Sequence, residues 1–180
     1  MKNKEKLVSI ILNCYNGEKY LKYALRSILR QSYKNWELIF WDNRSTDSSK
    51  KIFDTFKNKK FKYFFSSSHT SLYEARNLAI NKSKGQFLSF VDADDMWEKN
   101  KLKTQVKFFE DKKVGVVYGN SWLLNETTKK KKKFINYTIK DGYIYNDLIQ
   151  KYNVGILTAI IRKSCLNILK KIFDKRYNII

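Results

Sequence analysis

Proline is absent from this 180-residue chain, histidine occurs once and cysteine twice. Cys14 and Cys165 lie far apart, with no Cys-x-x-Cys pair and no histidine near them in sequence. Neither a zinc site nor a disulfide framework is signalled, and a reducing compartment fits best. Long apolar runs are missing too. The run behind the basic N-terminus ends after six residues at Asn13 with no small-residue cleavage site, which argues against a secretory leader. No later run approaches the roughly 20 residues a membrane-spanning helix needs, so the expected location is cytoplasmic, with any membrane contact peripheral. Acids are scarce: 17 Asp and Glu face 37 Lys and Arg, a formal net charge of +20. That balance suits a polyanion, a phosphorylated substrate or an anionic membrane surface. Yet the lysines are scattered, without a stripe interleaved with aromatics. The wealth of Lys, Asn, Ile, Tyr and Phe is what AT-rich coding produces, and no nucleic-acid partner is expected. The exception, Lys129–Lys133, reads as a solvated loop or hairpin tip.

What is present supports one globular core, since 43% of the residues are hydrophobic and 16% aromatic. Leu7–Leu12 (LVSIIL) reads as a buried strand, Asn13–Gly17 as a turn, and the spacing of Tyr20, Leu21, Ala24, Leu25, Ile28 and Leu29 predicts a helix over Glu18–Gln31. The unit then repeats. Strands are expected at Trp36–Trp41, Phe61–Phe65 and Phe87–Val91, and helices at Ser48–Phe56, around Leu72–Ala79 and over Glu98–Glu110. Beyond Val114 the pattern weakens. Strands at Val114–Tyr118 and Trp122–Leu124, a return at Phe134–Ile139 and a strand at Gly155–Ile161 are expected, with helices over Asp141–Lys151 and Ser164–Lys170. Strands alternating with helices imply an α/β fold with a mainly parallel sheet flanked by helices. With no Gly/Ser linker between them, 1–97 and 98–180 read as two halves of one domain.

Ligands of such sheets bind beyond the carboxyl ends of the strands. That rule collects Asn13–Gly17, Asp42–Asp47, Ser66–Ser71 and Asp92–Asp95 on one edge. Asp92, Asp94 and Asp95 stand together in FVDADD, and three close carboxylates repel one another unless a cation lies among them. Hard ions such as Mg²⁺ and Mn²⁺ take oxygen ligands, commonly one or two carboxylates plus substrate phosphates. Equally, Asp94 or Asp95 could cap the next helix. Tyr15 offers a face for a base or simply covers the sheet edge. Arg76 offers a charge to a diphosphate or is a surface helix arginine. His69 reads as an ordinary polar loop residue.

The stretches VSIILNCYNGEKYLKYALRSILRQSYKNWELIFWDNRSTDSS, EARNLAINKSKG and FLSFVDADD together resemble the family 2 glycosyltransferases of the GT-A fold. The resemblance implies a Rossmann-like GT-A sheet with an incomplete acceptor-side lobe over 98–180, and a donor-binding half over 1–97. It implies transfer, with inversion, from a nucleotide-diphospho-sugar such as a UDP- or dTDP-sugar to a glycan or lipid-linked acceptor, in polysaccharide or lipopolysaccharide synthesis. Position by position, Asn13, Cys14 and Tyr15 would hold the base with Asp42, and Arg76 would lie beside the nucleotide. Asp92 would accept from the ribose, Ala93 and Asp95 would line the donor, and Asp94 would hold the Mn²⁺ or Mg²⁺.

Some positions depart from that family. Asn13 stands where a proline-containing turn is usual, DN replaces two acids at Asp42-Asn43, and SSSHTSLYEARN lacks the usual Asn and Gly. The general base of the family lies in an acidic motif after a Phe-Asp-x-x-Tyr stretch, matched here by Phe173, Asp174 and Tyr177. The base is therefore expected beyond Ile180, and the alternative is a weak or inactive nucleotide-sugar-binding remnant or subunit. A sugar-1-phosphate nucleotidyltransferase would need a Gly-rich loop where only Gly17 stands, and a receiver or phosphatase an Asp where Asn13 stands.

Overall fold

The computed structural model describes residues 6–138, 140–150, 154–167, 169 and 172–174. Tyr177, Lys151, Ile139 and Lys170, which bear on the expectations above, lie outside them. Four strands, β1 (Val8–Cys14), β2 (Trp36–Asp42), β3 (Phe61–Phe65) and β4 (Phe87–Asp92), pair in parallel in the order β3-β2-β1-β4. Ile11 lies opposite both Ile39 and Phe90. Every residue of β1 and β2 is buried, which is why these segments read as continuous apolar runs and not as an alternation.

Helices cover both faces. On one, α1 (Leu21–Leu29) and α2 (Ser49–Asp54) bring Leu21, Leu25, Ile28 and Phe53 onto Ile10, Leu12 and Phe40. On the other, α3 (Leu72–Asn81) sets Ala75, Ala79 and Ile80 against Ile11, Ile39 and Phe90. Phe40 is wholly buried beside the rings of Phe53 and Tyr63, so truncating it to alanine would cost about 3–5 kcal/mol. The start of α3 is fixed by Ser71, whose side chain accepts from the Glu74 amide at 3.3 Å. The first helix is shorter than its periodicity suggests. Its first turn is a Gly17–Tyr20 turn without a side-chain cap, and Gln31 leaves the helix to bond Glu98 and Leu102.

The second half joins the same sheet. The helix expected over Glu98–Glu110 becomes α4 (Lys101–Val106) followed by a 3₁₀ turn, Lys107–Glu110. Beyond it lie β5 (Val116–Val117), β6 (Trp122–Leu124), β7 (Lys131–Lys133), α5 (Tyr145–Gln150) and β8 (Ile160–Arg162). Strand β8 runs antiparallel to β4 and to β5, completing the order β3-β2-β1-β4-β8-β5. Where a strand over Gly155–Ile161 is expected, Ile156–Thr158 is a 3₁₀ turn. Where a helix from Ser164 is expected, Lys163–Leu166 is another.

The lysine run differs most from expectation. Lys131–Lys133 is not a tip but a strand, paired with Trp122–Leu124, and the turn is made by Asn125–Lys130 with Lys129 at φ 57°. Cross-strand pairing overrides the weak strand preference of lysine, and the return expected at Phe134–Ile139 is thereby displaced to Lys131–Lys133. No described helix is long and apolar enough to cross a membrane.

Candidate functional site

The register of the parallel strands brings the expected residues to one edge. Asn13 lies opposite Trp41 and Asp92, and Cys14 opposite Asp42. The first two loops are stitched together. Gly17 N–H donates to Ser49 Oγ at 2.9 Å, Thr46 N–H to Asn16 Oδ1 at 2.8 Å and Glu18 N–H to Asp47 Oδ2 at 2.9 Å. Asn16 and Arg44 take positive φ, 52° and 74°, where these loops turn. A Cβ on Gly17 would lie 2.9 Å from Cys14 Sγ and 3.0 Å from Ala93 Cβ. Only a residue without a side chain lets the first loop approach the fourth so closely.

The site residues differ in what they present. Tyr15 is 54% exposed, and its ring stands 4.3 Å from that of His69. His69 Nδ1 faces the Asn43 carbonyl at 2.9 Å, so that nitrogen carries the ring hydrogen. The Cys14 side chain is buried, within 3.5 Å of Ser49 Oγ, and burial pushes its thiol pKa up. Asp42 is buried as well, its oxygens accepting from the Ser45 amide and the Tyr63 hydroxyl, both at 2.7 Å. Burial and that hydrogen bond push the Tyr63 hydroxyl pKa up. Both Cys14 and Asp42 thus turn their side chains inward and shape the edge instead of projecting from it. Asn13 is buried with neither amide atom partnered among the described residues, and the indole N–H of Trp41 opposite it is likewise unpartnered.

Arg76 is not a surface helix arginine. It is 9% exposed, donates from Nη2 to Asp92 Oδ1 at 3.0 Å, and lies 5.5 Å over the Phe173 ring. Asp94 is exposed and Asp95 half-buried. Neither caps a helix, because α4 begins only at Lys101 with Asn100 before it. Burial first, then the charges of Asp92 and Asp94, raise the Asp95 pKa to about 6. Among the described residues no three of His, Cys, Asp and Glu form a metal site by themselves. A donor set of one or two carboxylates in a field this negative still fits a hard cation whose other ligands are substrate phosphates.

Sequence reasoning missed two residues here. Asn43 Nδ2 donates to the Thr70 carbonyl at 2.7 Å, while its Oδ1 accepts from Thr70 Oγ1 at 3.0 Å. It thereby ties the second loop to the third. Asn77, beside Arg76, clasps the main chain of Phe173, donating to its carbonyl at 2.7 Å and accepting from its N–H at 3.1 Å. Their signals were the Asn in DN and the Asn after Arg76.

Sheet order and strand-end loops place the chain among GT-A glycosyltransferase folds. The Staphylococcus aureus TarS structure in complex with UDP-GlcNAc matches at a TM-score of 0.73 and 25% identity, over 88% of this chain and 46% of that one. The Pyrobaculum calidifontis mannosyltransferase PcManGT, in complex with GDP-Man and Mn²⁺, matches at 0.69 and 20% identity over 94% and 48%, a likeness of fold alone. The family model for glycosyl transferase family 2 matches residues 9–175, and the chain belongs to that family. Among curated relatives, the Escherichia coli UDP-Glc:alpha-D-GlcNAc-diphosphoundecaprenol beta-1,3-glucosyltransferase WfgD is 30% identical over 89% of this chain. The putative teichuronic acid biosynthesis glycosyltransferase TuaG of Bacillus subtilis is 28% identical over 89%. The chain spans 62% and 64% of those two proteins.

Proposed function

We propose that this chain transfers a sugar, with inversion, from a UDP- or dTDP-sugar to a glycan or lipid-linked acceptor in cell-surface polysaccharide or lipopolysaccharide synthesis. The observation that carries the reading is the convergence of Asn13–Tyr15, Arg76 and Asp92–Asp95 on one strand-end edge, with Arg76 held on Asp92 at 3.0 Å. UDP-GlcNAc in the TarS complex and the diphosphoundecaprenol substrate in the name of WfgD support the donor and acceptor classes.

In this reading 1–97 is the donor-binding half and 98–180 part of the acceptor side. Exposed Tyr15 stacks on the base, with Asn13 and the Cys14 backbone beneath it. Asp42 accepts from the base once it exchanges its Ser45 or Tyr63 bond. Arg76 supplies a fixed positive charge beside the diphosphate, Asp92 accepts from the ribose, and Ala93 and Asp95 line the donor. Asp94, exposed at the turn, holds the Mn²⁺ or Mg²⁺. A cation there stabilises the negative charge that develops on the departing diphosphate. The base that takes the acceptor's proton is assigned to none of these carboxylates. The protein works in the cytoplasm, at the inner face of the membrane when the acceptor is lipid-linked, where surplus lysines meet anionic lipid.

Isothermal titration of UDP- and dTDP-sugars with and without Mn²⁺ tests this. Binding should strengthen tenfold or more with Mn²⁺, and Asp94→Ala should abolish that gain. Undiminished metal-dependent binding by Asp94→Ala overturns the metal assignment, and no binding of any nucleotide-sugar overturns the reading.

A further inference from the structure

The hairpin of β6 and β7 pairs with no other described strand, and both its strands are exposed throughout. Its composition is divided by strand. One strand is Trp122-Leu123-Leu124, exposed by 51%, 55% and 44%. The other is Lys131-Lys132-Lys133, residue opposite residue, with the Lys133 ammonium 5.9 Å from the Trp122 ring. Charge around it is mostly positive: between Asp111 and Asp141 stand eight lysines, of which Lys140 pairs with Asp147 at 2.5 Å, and a single acid, Glu126. That acid is already engaged, accepting from the Tyr20 hydroxyl at 2.6 Å and from Lys19 Nζ at 3.3 Å.

We propose that this hairpin docks the protein on an anionic lipid bilayer through the face that Trp122 and Leu124 share with Lys131 and Lys133, the lysines on headgroup phosphates and the two apolar side chains in the interfacial layer. Lysines alone would be ordinary protection of an exposed ribbon against edge-to-edge pairing. They do not account for three consecutive large apolar side chains left in water on the facing strand. Apolar anchors beside a polybasic strand are the combination that an anionic membrane interface rewards.

The ribbon is tied at its base and at its turn. Asn120 pins its base, donating to the Ile135 carbonyl at 2.5 Å and accepting from the Ile135 amide at 2.9 Å. Asn125 closes its turn, donating its N–H to the Lys130 carbonyl at 2.9 Å. Glu126 then latches that turn to Lys19 and Tyr20, a few residues beyond Tyr15. Docking through the hairpin therefore sets the donor edge beside the lipid surface, which serves a lipid-linked acceptor and in that one respect rests on the proposed function.

The test uses the full chain and vesicles of phosphatidylcholine with or without phosphatidylglycerol. Trp36, Trp41 and Trp97 are buried and Trp122 is the exposed member of the four tryptophans, so its emission reports the hairpin directly. Co-sedimentation with phosphatidylglycerol vesicles is expected, with a blue shift and quenching by brominated lipid that Trp122→Phe removes. Lys131→Glu/Lys132→Glu/Lys133→Glu should weaken binding at least a hundredfold, at about fivefold for each lysine lost, before the repulsion of the added carboxylates. The charge-matched control Lys51→Glu/Lys57→Glu/Lys59→Glu, on exposed lysines of α2 and the loop after it, should weaken it far less. Equal losses in the two triple variants, binding without quenching, or no sedimentation each overturn the proposal, as does a dimer that Trp122→Ala dissociates. Nucleotide-sugar titrations on the same variants should match the parent chain. A parent that binds vesicles and no donor would sink the enzymatic reading and leave this one standing.

Discussion

Arg76 lies between an anion and a ring: its Nη2 donates to Asp92 Oδ1 at 3.0 Å, and its guanidinium lies 5.5 Å over Phe173. Three segments, α3, the end of β4 and the sequence-distant residues 172–174, meet at this one side chain. Asn77 keeps Phe173 in place from the next position along α3. A guanidinium held by one carboxylate and one ring has, among the described residues, further N–H donors for an incoming diphosphate.

Arg76→Ala leaves Asp92 without its partner and removes the stacked contact, with an expected loss of about 1–3 kcal/mol of stability. Donor affinity should fall tenfold or more. Arg76→Lys keeps the charge but not the fork, so it should recover more of the stability than of the affinity. Urea midpoints and calorimetric titration on the two variants separate these effects. Equal recovery of both would show that the fork is unimportant.

In the parallel half of the sheet, β1, β2 and β4 were legible because they are buried on both faces and their turns are polar, and the half-exposed β3 because of its aromatic run. In β1, the apolar run ends at the residue that begins the site, so fold and site signals coincide. The second half was harder to read. Its strands are two or three residues long, too short for any period to show; β8 and β5 exist because β4 offers β8 a place to pair, and β6 and β7 because they pair with each other. The lysine strand illustrates the limit: local composition says solvated loop, and only pairing with Trp122–Leu124 makes it β. Within the site, the placement of DADD and of the arginine after EA at one strand-end edge was readable. The inward turn of Cys14 and Asp42 was not, because a strand's last side chain can face the core or the solvent.

Asn43 explains why the second loop carries DN. Its amide must donate to the Thr70 carbonyl and accept from Thr70 Oγ1 at the same time. Asn43→Asp is isosteric, yet it replaces the donor with an oxygen facing a carbonyl, at 5% exposure. A loss of about 1–3 kcal/mol is expected, together with looser packing of His69 and Tyr15. Chemical denaturation measures the first and amide exchange of Ser68–Ser71 the second. An unchanged midpoint would mean the loops do not depend on this bridge.

Gly17→Ala places a methyl 2.9 Å from Cys14 Sγ and 3.0 Å from Ala93 Cβ. Something must give, and the least rigid element is the loop carrying Ala93, Asp94 and Asp95. Global stability should fall by about 1–3 kcal/mol, while donor affinity in Mn²⁺ should drop several-fold more than that of Cys14→Ala. The double variant Gly17→Ala/Cys14→Ala, which removes the sulfur clash, should regain part of the loss. Thermal melts and titrations on the three proteins decide it.

Lys101, half-buried at the start of α4, provides a pH signature. Its ammonium donates to Gln105 Oε1 at 2.8 Å and Ser89 Oγ at 3.2 Å, lies 4.4 Å from the Trp97 ring centroid, and has no carboxylate partner among the described residues. Burial pushes its pKa down to about 7 from the 10.5 of a free lysine. Between those values the unfolded chain binds the proton and the folded chain releases it, so this group makes stability rise with pH from about 7 towards 10. Below 7 both states are protonated and the folded chain holds a partly desolvated charge. Neutralisation of surface lysines also relieves repulsion in so basic a chain, so the comparison must be with a variant. Lys101→Met keeps the stem, should be more stable than the parent at pH 6, and should have a shallower rise in urea midpoint from pH 7 to 10. Parallel curves for the two proteins would show that Lys101 keeps an ordinary pKa and that its ammonium reaches water.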